Sequence, residues 1–111
     1  ITWDYKQYCD VPAGKQDHHA PLVESAVACA RLYTPEEKKE HIGIREGGCV
    51  NGNMAIGAGV PCVTIGGGEL NRCIHSLDEY FPYTKAYALP QEVLTLLLMA
   101  AGLDGVADPV I

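Results

Sequence analysis

The stretch from residue 60 to residue 81 constrains this chain more than any other. Val60, Val63 and Ile65 are β-formers inside a short, nearly continuous apolar run, V-P-C-V-T-I. Such a run is expected as a strand covered on both faces, as in a parallel sheet. Gly66, Gly67 and Gly68 end it, and consecutive glycines permit positive φ and let a ligand come close to the backbone. His75 follows, and after it Ser76, Leu77, Asp78 and Glu79. Open α/β sheets bind ligands just beyond the carboxyl ends of their strands, so a glycine loop and a histidine there make a candidate site. The glycines lack the Lys-Ser/Thr of a P-loop and the spacing of a dinucleotide fingerprint. Taken alone, they read as a turn, and the histidine reads as a solvated side chain.

The remaining chain supplies helices and short extended runs. Ile1, Trp3 and Tyr5 alternate with Thr2, Asp4 and Lys6, the pattern of a half-exposed strand over residues 1–8. A start inside a strand suggests a piece of a longer protein or a processed terminus. Residues 9–20 hold Pro12, Gly14 and many polar groups and read as a loop, with His18 and His19 as surface histidines. Pro21 suits a first helical turn. Leu22, Val23, Ala26, Val27 and Ala30 then recur at helical period, so a helix should run to about Tyr33. Thr34-Pro35-Glu36-Glu37 has the spacing of a capping box for a short charged helix to His41. Residues 42–46 fit a brief strand, and residues 47–53 a glycine- and asparagine-rich turn. Residues 54–58 suit one or two helical turns stopped by Gly59. Pro90 opens a last helix so rich in leucine that burial on most sides is expected, with Gly102 as its terminator. Helices around a buried strand argue an α/β fold. Two or three strands and two long helices do not cover one another, so the chain wants more protein around it.

Composition excludes several functions. At 48% hydrophobic the chain is too apolar for disorder. Its net charge of −6 argues against nucleic acid or an anionic membrane surface as the main partner. Its longest apolar run is too short to span a bilayer. Cys9, Cys29, Cys49, Cys62 and Cys73 are odd in number and contain no C-x-x-C pair, which weakens zinc-knuckle, redox and metal-storage readings. They read as reduced thiols of a cytoplasmic protein, with Cys29 and Cys62 as buried small hydrophobes.

Taken in order, P-A-G, P-L-V-E-S-A-V-A-C-A, G-x-x-x-N-G-N, G-V-P-C-V-T-I-G-G-G, I-H-S-L-D-E and P-Q-E-V-L-T-L-L-L-M-A-A-G resemble the C-terminal part of the zinc-dependent peptidase and deacylase family. That family includes tripeptidase (peptidase T), acetylornithine deacetylase, succinyl-diaminopimelate desuccinylase and glutamate carboxypeptidase. The resemblance covers about residues 9–103 of this chain and a minority of a full-length member. It implies the C-terminal portion of a doubly wound zinc-exopeptidase-like sheet with packed helices, incomplete on its own. Residues 1–8 would be the end strand of a lid or dimerisation domain, and residues 9–111 the C-terminal part of the catalytic domain.

In function, the resemblance implies a fragment of a metal-dependent hydrolase that cleaves a peptide or N-acyl amide bond, as an aminopeptidase, carboxypeptidase or deacylase. His75 falls on the family's last metal ligand. Asn51, Gly52, Asn53, Gly66, Gly67, Gly68 and Arg72 would line the substrate pocket, the turn's amides facing a substrate carboxylate. Glu79 would support His75 from behind. Two zinc ions would generate a hydroxide near neutral pH, with a glutamate as general base. That base and the other ligands lie upstream in the family, so this chain alone is expected to hold zinc weakly. The expected partners are a peptide or N-acyl amino acid substrate, and either a second copy or the missing part of the protein.

The chain departs from the family at Asn51, where an Asp is common, and at Arg72, Cys73 and Ile74, where small residues precede the histidine. These departures suit an alternative, a non-catalytic binding module that uses the glycine loop and the Asn51 turn.

Overall fold

Two helices, α1 (Pro21–Tyr33) and α3 (Ala88–Ala101), form the centre of the fold and pack on each other. The computed structural model describes residues 2–66 and 73–111. Pro21 sets the first turn of α1, and the small residues Ser25, Ala26 and Cys29 give it a face that α3 can approach closely. Ala26, Cys29 and Leu96 form the buried cluster, flanked by Leu22, Val63, Ile65 and Met99. The Cys29 thiol donates to Met99 Sδ at 3.3 Å. At the end of α1, Tyr33 Oη lies 2.6 Å from Thr95 Oγ1 and ties the helix to the middle of α3. The last turn of α1 closes with Thr34 N–H on the Ala30 carbonyl, and the following Pro35 stops it.

A second, smaller unit forms around α2 (Gly52–Gly57). The helix ends in a Schellman motif: Val60 N–H reaches the Ala55 carbonyl and Gly59 N–H the Ile56 carbonyl, with Gly59 at φ +78°. The loop before α1 lies against α2, with Pro12 on Gly57 and Gly14 on Ile56. From the same loop Gln16 reaches Cys62. Its Oε1 accepts the Cys62 N–H at 2.9 Å and its Nε2 donates to the Cys62 carbonyl at 3.2 Å.

That last contact explains the main correction. An α/β fold with a doubly wound sheet is expected from the apolar run, yet the described residues contain no sheet. Residues 60–66 form no regular secondary structure, and the Gln16 side chain occupies both hydrogen-bonding groups of Cys62, where a neighbouring strand would pair. Val63 and Ile65 spend their apolar side chains on the α1–α3 cluster instead. Residues 2–8 and 42–46 also lack strand pairing, and Trp3, Tyr5 and Tyr8 are exposed. Among the described residues β-pairing is confined to isolated bridge residues, Leu103 with Ala107 in the C-terminal loop and Tyr80 after the His75 turn.

Two local expectations also change. Glu36–His41 forms a 3-10 helix with Pro35 at its N-cap, and no side chain caps it, so the Thr34 capping box does not form. Thr34 is engaged as the C-cap of α1. Helix α3, expected to be covered on most sides, buries Glu92 and Leu96 and leaves Leu94, Leu97 and Leu98 at 58%, 60% and 44% exposure.

Burial is short throughout. The accessible surface is 9107 Å², against about 6,000 Å² for a folded monomer of this mass. The radius of gyration is 17.3 Å, where about 13 Å suits a domain of this length. No helix among the described residues is long and apolar enough to cross a membrane.

Candidate functional site

The Asn51–Asn53 turn opens α2. Asn51 takes helical dihedrals at the N-cap, without a capping hydrogen bond from its side chain. Asn53 folds back: its Oδ1 accepts the Val50 N–H at 3.1 Å, and its Nδ2 lies 3.5 Å from the Gly48 carbonyl. The Asn53 and Met54 amides bond the carbonyls of Val50 and Asn51. The amides of Val50, Asn53 and Met54 are thus satisfied inside the turn. Gly52 is where two segments meet. A Cβ there would stand 3.1 Å from Cys62 Sγ and 3.2 Å from Thr64 Oγ1, so the residue is small because the apolar run passes against it. Gly66 stands at the described end of that run, with open space around its Cα. Gly67, Gly68 and Arg72 lie outside the described residues.

His75 sits on a separate, tightly hydrogen-bonded turn. Cys73 and His75 both have left-handed backbones, at φ +53° and +65°. That region is sparsely used by non-glycine residues and persists where the surroundings enforce it. The enforcement comes from Ser76 and Glu79. Ser76 Oγ donates to the Cys73 carbonyl at 2.7 Å and accepts the Asp78 N–H at 3.2 Å. Ser76 N–H also bonds the Cys73 carbonyl, and Glu79 N–H the Ser76 carbonyl. Glu79 Oε2 accepts the His75 backbone N–H at 3.2 Å. Glu79 therefore fixes the histidine's backbone, while the imidazole is exposed and free of hydrogen bonds among the described residues. The Ser-x-x-Glu spacing of residues 76–79 is that of a reciprocal cap, and it is the signal from which this turn is readable.

The two halves of the site are not joined. No hydrogen bond or ion pair among the described residues links the Asn51–Asn53 turn to the His75 turn. No group of three His, Cys, Asp or Glu among the described residues is placed to hold a metal ion. A catalytic zinc usually takes three protein ligands. One exposed imidazole beside a carboxylate already engaged with backbone does not fit a zinc site built from this chain alone.

Two histidine–carboxylate pairs lie elsewhere. His18 Nε2 is 2.8 Å from Glu46 Oε1, and His19 Nδ1 is 3.2 Å from Glu24 Oε1. The adjacent histidines address different carboxylates and frame a shallow apolar depression over Val27, Ala28 and Ile44. All five cysteines are free thiols. Burial, with the Glu92 carboxyl nearby, raises the Cys29 thiol above its ordinary range, which makes it a packing group rather than a nucleophile.

Comparison with known protein families, with characterised proteins and with solved structures finds no match for this chain.

Proposed function

We infer that this chain works as one part of a metal-dependent hydrolase acting on a peptide or N-acyl amide bond, to which it contributes His75 as a metal ligand and the Asn51–Asn53 turn as pocket wall. The order of the motifs around His75 supports the chemistry. The observation that carries the partial character is the exposed area of 9107 Å², roughly half as much again as a self-sufficient domain shows. The leucines of α3 and the lone imidazole of His75 both await groups from outside. In this reading His75 would be one ligand of a zinc ion whose other ligands the chain does not contain, and the ion would supply Lewis-acid chemistry. The chain's own work is positional. Ser76 and Glu79 hold His75 in its left-handed backbone, and the close packing of Gly52 on Cys62 and Thr64 fixes the turn beside the apolar run. The setting is cytoplasmic, in keeping with five unpaired thiols.

Zinc calorimetry on this chain and on His75→Ala tests the reading. Binding weaker than about 10 μM in both agrees with it. Tight binding that disappears in His75→Ala means the chain builds a complete site by itself, and overturns it. The complete reading frame, assayed on dipeptides and N-acyl amino acids, should lose activity and one metal equivalent with the same substitution.

A further inference from the structure

Residues 2–8, T-W-D-Y-K-Q-Y, carry an alternating strand pattern that the fold leaves unused. The whole segment is exposed, with Trp3 at 90%, Tyr5 at 81% and Tyr8 at 85%. Among the described residues, no backbone amide or carbonyl of this segment has a hydrogen-bond partner. Asp4 has no ion pair there, and Lys6 meets only the Tyr8 ring, its Nζ 4.9 Å from the ring centroid. That contact puts residues 6 and 8 on one side of the chain, which is the spacing of a strand. A backbone with free donors and acceptors, carrying aromatic side chains, is a template for pairing with another chain.

The charges select the occupant. Two identical strands paired antiparallel about a two-fold axis have a residue at their centre, because opposed side chains must share a face. Centred on Asp4, the two aspartates face each other. Centred on Lys6, the two lysines do. Centred on Tyr5, Asp4 of each copy stands opposite Lys6 of the other, with Tyr5 against Tyr5 between them and Trp3 opposite Gln7. Opposite charges across a strand pair stabilise it and like charges oppose it, so of these central registers the one on Tyr5 is favoured.

We propose that residues 2–8 form a self-complementary pairing strand, through which two copies of this chain associate as an antiparallel ribbon centred on Tyr5. Backbone hydrogen bonds supply the attraction, and the two Asp4–Lys6 contacts set the register. A two-stranded ribbon is marginal by itself, so the association is weak and reversible, and its exposed charges make it salt-sensitive. The pairing does not rest on the hydrolase reading.

Sedimentation of the full chain over a concentration series at low ionic strength tests the proposal. The wild type should show a monomer–dimer equilibrium. Asp4→Lys and Lys6→Asp each turn both attractive contacts into repulsive ones, and each should weaken the dimer by about tenfold or more. The first substitution moves the net charge of −6 towards zero and the second moves it away. General charge repulsion would therefore shift the two variants in opposite directions, whereas the pairing weakens both. Asp4→Lys combined with Lys6→Asp should restore the wild-type dimer, and an equimolar mixture of the two single variants should form a mixed dimer. A monomeric wild type would overturn the proposal, as would a mixture that does not associate. A dimer indifferent to all these changes would also overturn it, since that is the behaviour of association through the α3 leucines alone. The substituted side chains are exposed and lie outside the α1–α3 centre, so far-ultraviolet circular dichroism should be the same for every variant.

Discussion

Leu96 and Leu97 are neighbours in sequence and opposites in structure, and truncating each to alanine separates the contribution of the core from that of the outer face. Leu96 is 8% exposed within the buried cluster, whereas Leu97 is 60% exposed. Removing three carbons from a buried site costs about 2.4 kcal/mol in transfer alone. A residual cavity adds to that, and buried leucine truncations span about 2–5 kcal/mol. This cluster is thin, so neighbours can close on the gap, and a value near 3 kcal/mol is expected for Leu96→Ala. Leu97 forfeits only the part of its surface that is covered, and alanine favours helix slightly, so about 1 kcal/mol or less is expected for Leu97→Ala. Urea unfolding followed by far-ultraviolet circular dichroism measures both, provided the slopes agree. Equal losses, or a larger loss at Leu97, would refute the assignment of inner and outer faces. The same pair repeated in the complete protein checks the proposed role. If outside protein covers α3, the cost of Leu97→Ala should rise there towards that of Leu96→Ala.

Three further substitutions probe the smaller unit and its junctions. Gly57→Ala places a Cβ 2.5 Å from Pro12 Cγ and should cost about 1–3 kcal/mol by overpacking. Hydrogen exchange should show the Cys62 amide losing protection as the loop lifts. Gln16→Ala removes both hydrogen bonds to Cys62 and should cost about 1–3 kcal/mol, visible as a lower urea midpoint and faster exchange at Cys62, with α1 unaffected. Tyr33→Phe deletes the 2.6 Å contact with Thr95 and should cost about 1 kcal/mol, read as a modest fall in the same midpoint.

What was legible in the sequence was local. Pro21 and the spacing of Val23 and Ala26 announce α1, and Gly59 announces the end of α2, because each signal acts within one or two turns of the backbone it governs. The sheet was not legible, because a strand exists only when another backbone pairs with it, and alternation alone cannot say whether one arrives. Here the Gln16 side chain takes the place of that backbone at Cys62. The same limit applies to α3. Its composition shows that it needs apolar contact, but the choice of face is made by α1, whose small residues accept Glu92 and Leu96 and turn three leucines outward. At the site, the order of residues singled out His75 and Glu79, and the structure joins them through the backbone. The left-handed conformation of His75 had no composition signal, since it is imposed by hydrogen bonds from Ser76 and Glu79.

The outward leucines and the lone imidazole have one physical reading in common. A solitary domain gains nothing from exposing Leu94, Leu97 and Leu98, because an unpartnered apolar face invites association. That cost falls if other protein covers α3, because the leucines lose water. In the proposed hydrolase the same covering surface would supply the further ligands for His75, whose backbone Glu79 holds and whose ring is exposed. Rigid support behind an unengaged donor is the order in which a shared site is built, with the backbone fixed first and the coordination completed from across an interface.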